Sequence, residues 1–210
     1  MKTKLLIAPC LHKAAKFSVI NWHYSKKMPV GKLSLFGAWE DDKFVGAIVF
    51  GRGATSQIGK PFNLSQVEIC ELVRVAFKRH KVEITRCVSI ALKLLKKNSP
   101  SMRLVVSYAD PKHGHDGAIY RAGNWIYLGK TASTTMYFNG SRWLHARELT
   151  SGSWAKKRWT KEEIERMPKR ELEGKHKYAM PLDSAMRAIV EPMAVDFPKT
   201  AQEKEPATAQ

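Results

Sequence analysis

The sequence contains few cysteines and no long apolar run. Its three cysteines, Cys10, Cys70 and Cys87, lie in apolar surroundings without a C-x-x-C spacing, which argues against a disulfide framework and against a cysteine-rich zinc site. No stretch approaches the roughly 18 apolar residues of a membrane-spanning helix, and residues 5–8 are too short for the core of a signal peptide. These absences predict a soluble protein of a reducing compartment, and we expect it in the cytoplasm with no membrane partner.

Acidic residues are also scarce. The 210 residues include 19 Asp and Glu against 36 Lys and Arg, which gives a formal net charge of +17. An excess of this size favours a polyanionic partner, because a protein that neutralises phosphates releases their counterions. With 44% hydrophobic and 10% aromatic residues, the composition favours a globular protein that binds DNA or RNA. The alternative is a basic protein that contacts ribosomes or acidic lipids nonspecifically.

The apolar pattern of residues 1–150 predicts the order β-α-β-β-β-α-β-α-β-β. Short or alternating apolar runs predict strands, and an apolar stripe with a period near 3.6 residues predicts helices. Strands are expected at 5–8, 33–40, 44–51, 67–77, 104–108, 125–128 and 134–138, and helices at 12–22, 83–97 and 115–121. Because helices separate only some of the strands, we expect an α+β fold with a mixed sheet flanked by helices.

The composition changes after residue 150. Residues 151–192 are basic and contain tryptophan, and we expect them to form an extension that packs on or beside the domain of residues 1–150. Thr160 and Glu163 have the spacing of a capping box, which predicts a short helix, and residues 175–182 read as an extended segment. Proline, alanine and polar residues predict that residues 193–210 form a disordered tail.

Polar residues gather where the apolar segments end. Asp110 follows a buried strand and precedes Pro111, so its carboxylate is a candidate general base or metal ligand. The alternative is a strand-end aspartate that only caps the next turn. His113 and His115 are further candidate metal ligands, although histidines in a glycine-containing loop are more often solvated or phosphate-facing. Asp110 is therefore the most suggestive single residue of the sequence, with two interpretations open.

Two further positions carry groups suited to proton transfer. His23 and Tyr24 follow the first predicted helix, where they form either an imidazole and phenol pair in a cleft or a helix C-cap with Tyr24 packed on the sheet. Tyr120 lies on the predicted helix after Asp110, where its hydroxyl is either a proton donor or part of the core. The sequence alone does not decide between these alternatives for His23, Tyr24 and Tyr120.

Basic residues form the remaining candidates. The turn Arg79-His80-Lys81 precedes the predicted helix 83–97, and the unpaired N–H groups and positive dipole of a helix start favour a pyrophosphate group there. Candidate cofactor-binding residues near this turn are Val75, Arg79 and Arg86. Candidate DNA contacts are Lys26, Lys27, Arg52, Trp125, Lys156, Lys157 and Arg158, with the tryptophan available for stacking on an exposed base.

Several blocks in order resemble a known family. They are H-Y-S-K-K-M-P (23–29), G-R-G-A (51–54), P-F-N-L (61–64), C-E-L-V-R-V-A (70–76), I-A-L-K-L-L-K-K (90–97), V-S-Y-A-D-P (106–111) and G-N-W-I-Y-L-G (123–129). Over about residues 1–150 the chain is similar to the phage Mom-type DNA adenine modification proteins. The resemblance implies a GNAT-like acyltransferase fold and a place in the cytoplasm of the bacterial host.

The resemblance also implies an activity. The family adds a carbamoylmethyl group to the N6 amine of adenine in double-stranded phage DNA and so protects the DNA from host restriction. By motif, the active-site residues are His23, Tyr24, Asp110 and Tyr120. The family is associated with acetyl-CoA or another small donor and with iron, for which His23 and Asp110 are the candidate ligands. The pyrophosphate turn of ordinary GNAT enzymes contains glycine, whereas residues 79–84 contain none.

Chemistry on the N6 amine requires that the adenine leave the duplex, at a cost of a few kcal/mol of unstacking. We expect an aromatic pocket for the flipped base, with Tyr24, Trp125 and Tyr127 as its candidates. Two other functions are compatible with the sequence. One is a non-catalytic basic DNA-binding protein, and the other is a conventional CoA-dependent N-acetyltransferase.

Overall fold

A computed structural model describes residues 3–53, 55–150 and 159–198. Its ten strands are β1 (Leu5–Pro9), β2 (Leu33–Glu40), β3 (Lys43–Gly51), β4 (Ile69–Phe77), β5 (Leu104–Ala109), β6 (Ile126–Lys130), β7 (Thr134–Phe138), β8 (Trp143–His145), β9 (Lys169–Leu172) and β10 (His176–Pro181). Its six α-helices are α1 (His12–Trp22), α2 (Ile84–Asn98), α3 (Ala118–Ala122), α4 (Ala146–Thr150), α5 (Lys161–Arg166) and α6 (Ser184–Val190). Short 3₁₀ turns lie at Lys60–Phe62, Pro111–His113 and Glu191–Met193.

The chain forms two compact units. The first contains residues up to 108, residues 117–129 and residues from 177 onward, and the second contains residues 109–116 and 130–176. The first unit is built on a seven-stranded sheet with the order β1-β2-β3-β4-β5-β10-β6. Strands β1 to β4 are antiparallel neighbours, and β4 and β5 are parallel. The predicted α+β fold with a mixed sheet is therefore confirmed.

Apolar faces on both kinds of element build the core of the first unit. Ala15 and Val19 of α1 pack against Ala47 and Val49 of β3 and Ala76 of β4. A second cluster joins β4, β5, β6, β10 and α6. Its fully buried members are Ile69, Leu104, Val106, Ala179, Met186 and Val190. Burial of each Ile, Leu, Val or Met side chain of this set contributes about 1.5–3 kcal/mol before entropy is counted. Packing against α6 therefore stabilises the sheet in addition to its own hydrogen bonds.

The structure divides the chain differently from the predicted boundary at residue 150. Strand β10 lies between β5 and β6 in the main sheet, so residues 176–181 are part of the core and not an extension beside it. Residues 193–198, which the sequence assigns to the tail, are packed: Val195 N–H donates to the carbonyl of Tyr127 at 3.0 Å, and the ring of Phe197 contacts that tyrosine. Residues 199–210 and 151–158 lie outside the described residues.

The second unit has its own small sheet, with the order β8-β7-β9. Leu144, Leu149 and Met167 form its buried centre. The predicted capping box is confirmed, because the Thr160 hydroxyl accepts from Glu163 N–H at 3.2 Å and the Glu163 carboxylate accepts from Thr160 N–H at 2.8 Å. Within the described ranges, the helices are all too short or too polar to cross a membrane.

A charge pair ties the start of α6 to the sheet, and it makes stability depend on pH. Asp183 caps α6 by accepting from Met186 N–H, and it binds Arg103 through two hydrogen bonds of 3.0 Å. The Arg103 hydrogen bond is the main cause of a lowered pKa at Asp183. A carboxyl whose pKa is lower in the folded state stabilises the protein above the pKa of the unfolded chain, about 4. That stabilisation is lost as the pH falls through the lower, folded-state pKa.

We therefore expect Asp183→Asn to lower the free energy of unfolding by about 1–2 kcal/mol at pH 7 and to leave it unchanged near pH 2. Urea unfolding of both proteins across this pH range measures the difference. Asp42→Asn is the matched control, because the Asp42 carboxylate is 80% exposed and its ion pair with Lys4 is solvated. A loss of equal size at pH 2 and pH 7 would contradict the electrostatic explanation.

Candidate active site

The end of α1 brings His23 and Tyr24 together. His23 N–H donates to the Val19 carbonyl at 3.2 Å, so His23 closes the helix, and its ring lies 4.3 Å from the ring of Tyr24. Ser25 N–H donates to His23 Nδ1 at 3.1 Å, which assigns the proton of the neutral imidazole to Nε2. His23 is 8% exposed and Tyr24 is 45% exposed. The C-cap interpretation is correct for His23, and nearly half of the Tyr24 side chain is exposed to solvent.

Tyr120 of α3 is buried in the same unit. Burial raises the pKa of its hydroxyl to about 12, with smaller contributions from Tyr24 and Glu71. Ser107 Oγ lies 2.7 Å from Tyr120 Oη and 2.8 Å from the Leu72 carbonyl oxygen. A carbonyl can only accept, so the one Ser107 proton goes to Leu72 and the Tyr120 hydroxyl donates to Ser107. The remaining lone pairs of Tyr120 Oη are then suited to accept a hydrogen bond from an N–H group.

Strand β4 adds a carboxylate and a guanidinium to this region. The register of β4 against β3 shifts at Val73, which is the extra residue of a β-bulge. A bulge changes which side chains share a face, and Glu71 and Arg74 interact electrostatically although they are three positions apart in the strand. Burial lowers the pKa of Arg74, while Tyr24 and Glu71 raise it.

These interactions define a group of four residues, Tyr24, Glu71, Arg74 and Tyr120, which we call the central cluster. Glu71 also contributes to a raised pKa at Tyr108, after the larger effect of burial. Arg74 Nε donates to the Lys27 carbonyl at 3.3 Å, which fixes the segment that follows Tyr24. The central cluster therefore combines a hydroxyl, a carboxylate, a cation and an exposed aromatic ring. Sequence reasoning assigns Tyr24 and Tyr120 to the catalytic group and considers Glu71 only as one of several residues that could converge on a metal, and it misses Arg74.

Asp110 belongs to the second unit, where its side chain has two partners. Its carboxylate accepts from Lys112 N–H at 3.1 Å and pairs with Lys175 Nζ at 3.2 Å. The capping interpretation of Asp110 is therefore confirmed. Its proposed role as a base stays a prediction. His113 and His115 lie in the turn that Asp110 caps, and both are exposed.

The residues present do not fit an iron site. A metal ion in a protein is normally held by several His, Cys, Asp or Glu side chains, and no group of three or more such residues converges in the part of the chain that the structure describes. The Nδ1 atom of His23 is already bound to Ser25. We derive no chemical step through iron.

The predicted pyrophosphate turn also differs from what a bound CoA requires. The N–H groups of Lys81 and Val82, just before α2, donate to the carboxylate of Glu40 at 2.8–3.0 Å. Arg79 is exposed beside this turn, and Val75 lies in β4. A pyrophosphate would have to displace Glu40 to reach these two amides, so the turn as it stands does not fit the group.

A cleft of about 600 Å³ lies between α2 and α3. Arg86 and Lys93 stand at its rim, and Ile119, Leu182 and Trp125 line it. Trp125 is 6% exposed and its ring packs 5.1 Å from that of Tyr120. Trp125 is thus a wall of this cleft and a support for Tyr120, and its predicted stacking on a DNA base stays a prediction.

Three of the predicted DNA contacts are exposed cations, two of which follow Tyr24 closely in the sequence. Lys26, Lys27 and Arg52 are all exposed, and Lys26 Nζ donates to the Asn21 carbonyl at 2.8 Å. They keep their predicted role as DNA contacts. Lys156, Lys157 and Arg158 lie outside the described residues.

A family model described as the Mom protein family matches residues 4–199 of the chain. Among curated proteins, the chain is similar to the methylcarbamoylase mom of Escherichia phage Mu, with 27% identity over 127 residues. That alignment covers 59% of this chain and 52% of the phage Mu protein, so the chain matches about half the length of this relative.

Solved structures of transferases are similar in fold. An acetyltransferase of Bacillus subtilis in complex with CoA has a TM-score of 0.47 and 10% identity, covering 87% of this chain and 100% of that one. The N-acyl amino acid synthase FeeM from uncultured soil microbes has a TM-score of 0.49 and 11% identity, covering 89% and 94%. With TM-scores below 0.5 these matches are partial, and they carry no conclusion about this chain.

Proposed function

Because the chain belongs to the Mom protein family, we propose that it is a DNA-modifying enzyme that adds a carbamoylmethyl group to the N6 amine of adenine. In phage DNA such a group protects the molecule from host restriction. The observation that carries the proposal is the central cluster, in which an exposed aromatic ring interacts with a buried tyrosine hydroxyl and with two half-buried charged groups. The net charge of +17 supplies the attraction to a polyanion.

Tyr24 is the residue best placed to receive the base. Its side chain is 45% exposed and its ring lies 4.3 Å from the ring of His23, and in our proposal the flipped base stacks on the exposed part of the ring. Stacking of a base on an aromatic side chain contributes about 1–3 kcal/mol, which offsets part of the unstacking that base flipping requires. Lys26, Lys27 and Arg52 then hold the phosphates on either side of the flipped nucleotide.

The structure of the proposed product determines which proton and bond changes the central cluster must assist. A carbamoylmethyl group is joined to N6 through a new N–CH₂ bond, so N6 loses a proton and the methylene carbon of the donor loses its leaving group with the bonding electron pair. In our proposal Tyr120 Oη accepts a hydrogen bond from the N6 amine and orients its lone pair, since the Tyr120 proton is committed to Ser107. Glu71 accepts the released proton, and Arg74 offsets the negative charge of the cluster.

The donor is the second substrate. Acyl transfer from acetyl-CoA would give an amide at N6 rather than an N–CH₂ bond, so the proposal requires a small donor with a leaving group on its methylene carbon. The cleft between α2 and α3 supports such a donor, because Trp125 is shared between the cleft and the packing of Tyr120. Of the three predicted cofactor-binding residues, Arg86 lines that cleft and Val75 and Arg79 do not. Cofactor binding by all three stays a prediction.

Mass spectrometry of nucleosides tests the proposal directly. DNA from cells that express the chain is expected to contain deoxyadenosine whose mass is raised by one carbamoylmethyl group, and DNA from cells with an empty vector is not. A mass increase of one acetyl group would indicate a conventional acetyltransferase. Unmodified DNA, together with salt-dependent binding to DNA, would favour a non-catalytic DNA-binding protein.

A further inference from the structure

The last residue of β2, Glu40, lies inside the protein with its charge satisfied by backbone groups. Its side chain is 6% exposed. Lys81 N–H lies 3.0 Å from Glu40 Oε1 and 2.9 Å from Oε2, and Val82 N–H donates to Oε1 at 2.8 Å. A buried carboxylate is costly unless hydrogen bonds compensate it. Here two consecutive amides provide that compensation.

The amides that Glu40 occupies are those that would otherwise bind a ligand anion. They lie immediately before α2, a helix of 15 residues, whose N-terminus carries a partial positive charge. Consecutive N–H groups that point into one concavity form an anion site, and phosphate groups are its usual occupants at a helix start. Glu40 therefore fills, with a carboxylate of the chain itself, a place with the chemistry of a phosphate site.

The surrounding contacts hold this arrangement in place. Lys81 Nζ pairs with Asp41 at 3.7 Å, so an ion pair also joins the β2–β3 hairpin to the turn before α2. Lys78 N–H donates to the Val45 carbonyl at 3.0 Å, and His80 Nδ1 lies 2.8 Å from the Val82 carbonyl oxygen. Glu40 contributes to the raised pKa of Cys87, after the larger effect of burial, which places its charge beside the first turn of α2.

We propose that Glu40 replaces, from within the chain, the pyrophosphate that this turn would take from a nucleotide-bearing thioester donor, and that the turn is closed to such donors. Any donor of that class is then held elsewhere or not at all. The inference concerns one anion site and does not depend on which group the protein adds to DNA.

Amide signals in NMR spectra test this inference at the two residues concerned. With ¹⁵N-lysine and ¹⁵N-valine labels, the signals of Lys81 and Val82 in the wild-type protein are expected not to shift when CoA or inorganic pyrophosphate is added. In Glu40→Ala, which opens the space and frees the amides, both signals are expected to shift saturably with pyrophosphate. Asp42→Asn is the matched control, because Asp42 lies in the same hairpin, is 80% exposed and pairs with Lys4 rather than with the turn before α2, and it should behave as the wild type does.

Two outcomes would overturn the inference: saturable shifts of Lys81 and Val82 when CoA is added to the wild-type protein, or no response to pyrophosphate in a folded Glu40→Ala variant. If Glu40→Ala does not fold, Glu40→Gln keeps the side-chain volume and removes the charge. Its Lys81 and Val82 amide protons are expected to move upfield, since they lose a charged acceptor. Unmoved signals in Glu40→Gln would show that the carboxylate does not hold the turn and would equally overturn the inference.

Discussion

Replacing Tyr120 by phenylalanine is expected to lower the rate of adenine modification by about 10²-fold or more. The variant keeps the ring that packs against Trp125 and Tyr178 and removes only the hydroxyl. That hydroxyl is the one atom of α3 that we place in contact with the N6 amine. The measurement is the modified fraction of deoxyadenosine at short times, with purified protein and its donor or in cells after timed induction.

The pKa of Tyr120 predicts how the modification rate depends on pH in the same experiment. Because burial raises this pKa to about 12, the hydroxyl stays neutral throughout the range in which DNA and protein are stable. It can therefore orient the amine through a hydrogen bond but cannot act as a phenolate base. We expect the rate to show no ionisation of Tyr120 below about pH 11.

Two matched variants separate chemistry from packing. Tyr178→Phe removes a hydroxyl from the same aromatic group, one that accepts from Arg121 at 3.3 Å, and is expected to leave the rate unchanged. Ser107→Ala removes the acceptor of the Tyr120 proton, so the hydroxyl loses its orientation, and an intermediate loss is expected. If the three variants lose activity only in proportion to their loss of thermal stability, Tyr120 is a core residue and its assignment to the site is wrong.

The elements of the fold were largely predictable, because their apolar patterns are local. Helix α1 is found at the predicted residues, and the hairpin of β2 and β3 and strand β5 agree within one residue. Helix α2 begins one residue later than predicted, with Glu83 as its N-cap. Local patterns do not predict which strand pairs with which. The apolar run that becomes β10 gives no sign that it inserts between β5 and β6, a pairing between segments far apart in the sequence.

The same limit explains why the sequence does not bring Arg74 together with Glu71. Glu71 and Arg74 are three residues apart, and in a regular strand such residues face opposite sides. The bulge at Val73 alters this, and a single inserted residue in a Val- and Leu-rich strand has no local signature. Glu40 is a comparable case. A glutamate at the end of a predicted hairpin strand is expected to be solvated. In the structure, the N–H groups of Lys81 and Val82, about forty residues later, bind its carboxylate.

Asp110 is where the resemblance and the geometry give different expectations, and substitution can decide between them. If its carboxylate takes part in the reaction, Asp110→Asn is expected to lower the modification rate by about 10²-fold or more. Asparagine can still accept the hydrogen bond from Lys112 N–H, so the turn keeps its cap. The readout is the modified fraction of deoxyadenosine, measured beside the thermal unfolding midpoint of each variant.

Lys175→Met is the control that makes this result interpretable. It breaks the ion pair with Asp110 while retaining the carboxylate, and Lys175 N–H continues to donate to the Thr131 hydroxyl at 2.9 Å. Since Lys175 is half exposed, the pair contributes no more than about 1 kcal/mol, and both variants should unfold within a few degrees of the wild type. Loss of activity in Asp110→Asn alone would assign the carboxylate to the chemistry. Equal and small effects in both variants would assign Asp110 to the cap and the ion pair, and would leave the central cluster, with Glu71 as its carboxylate, to carry the reaction.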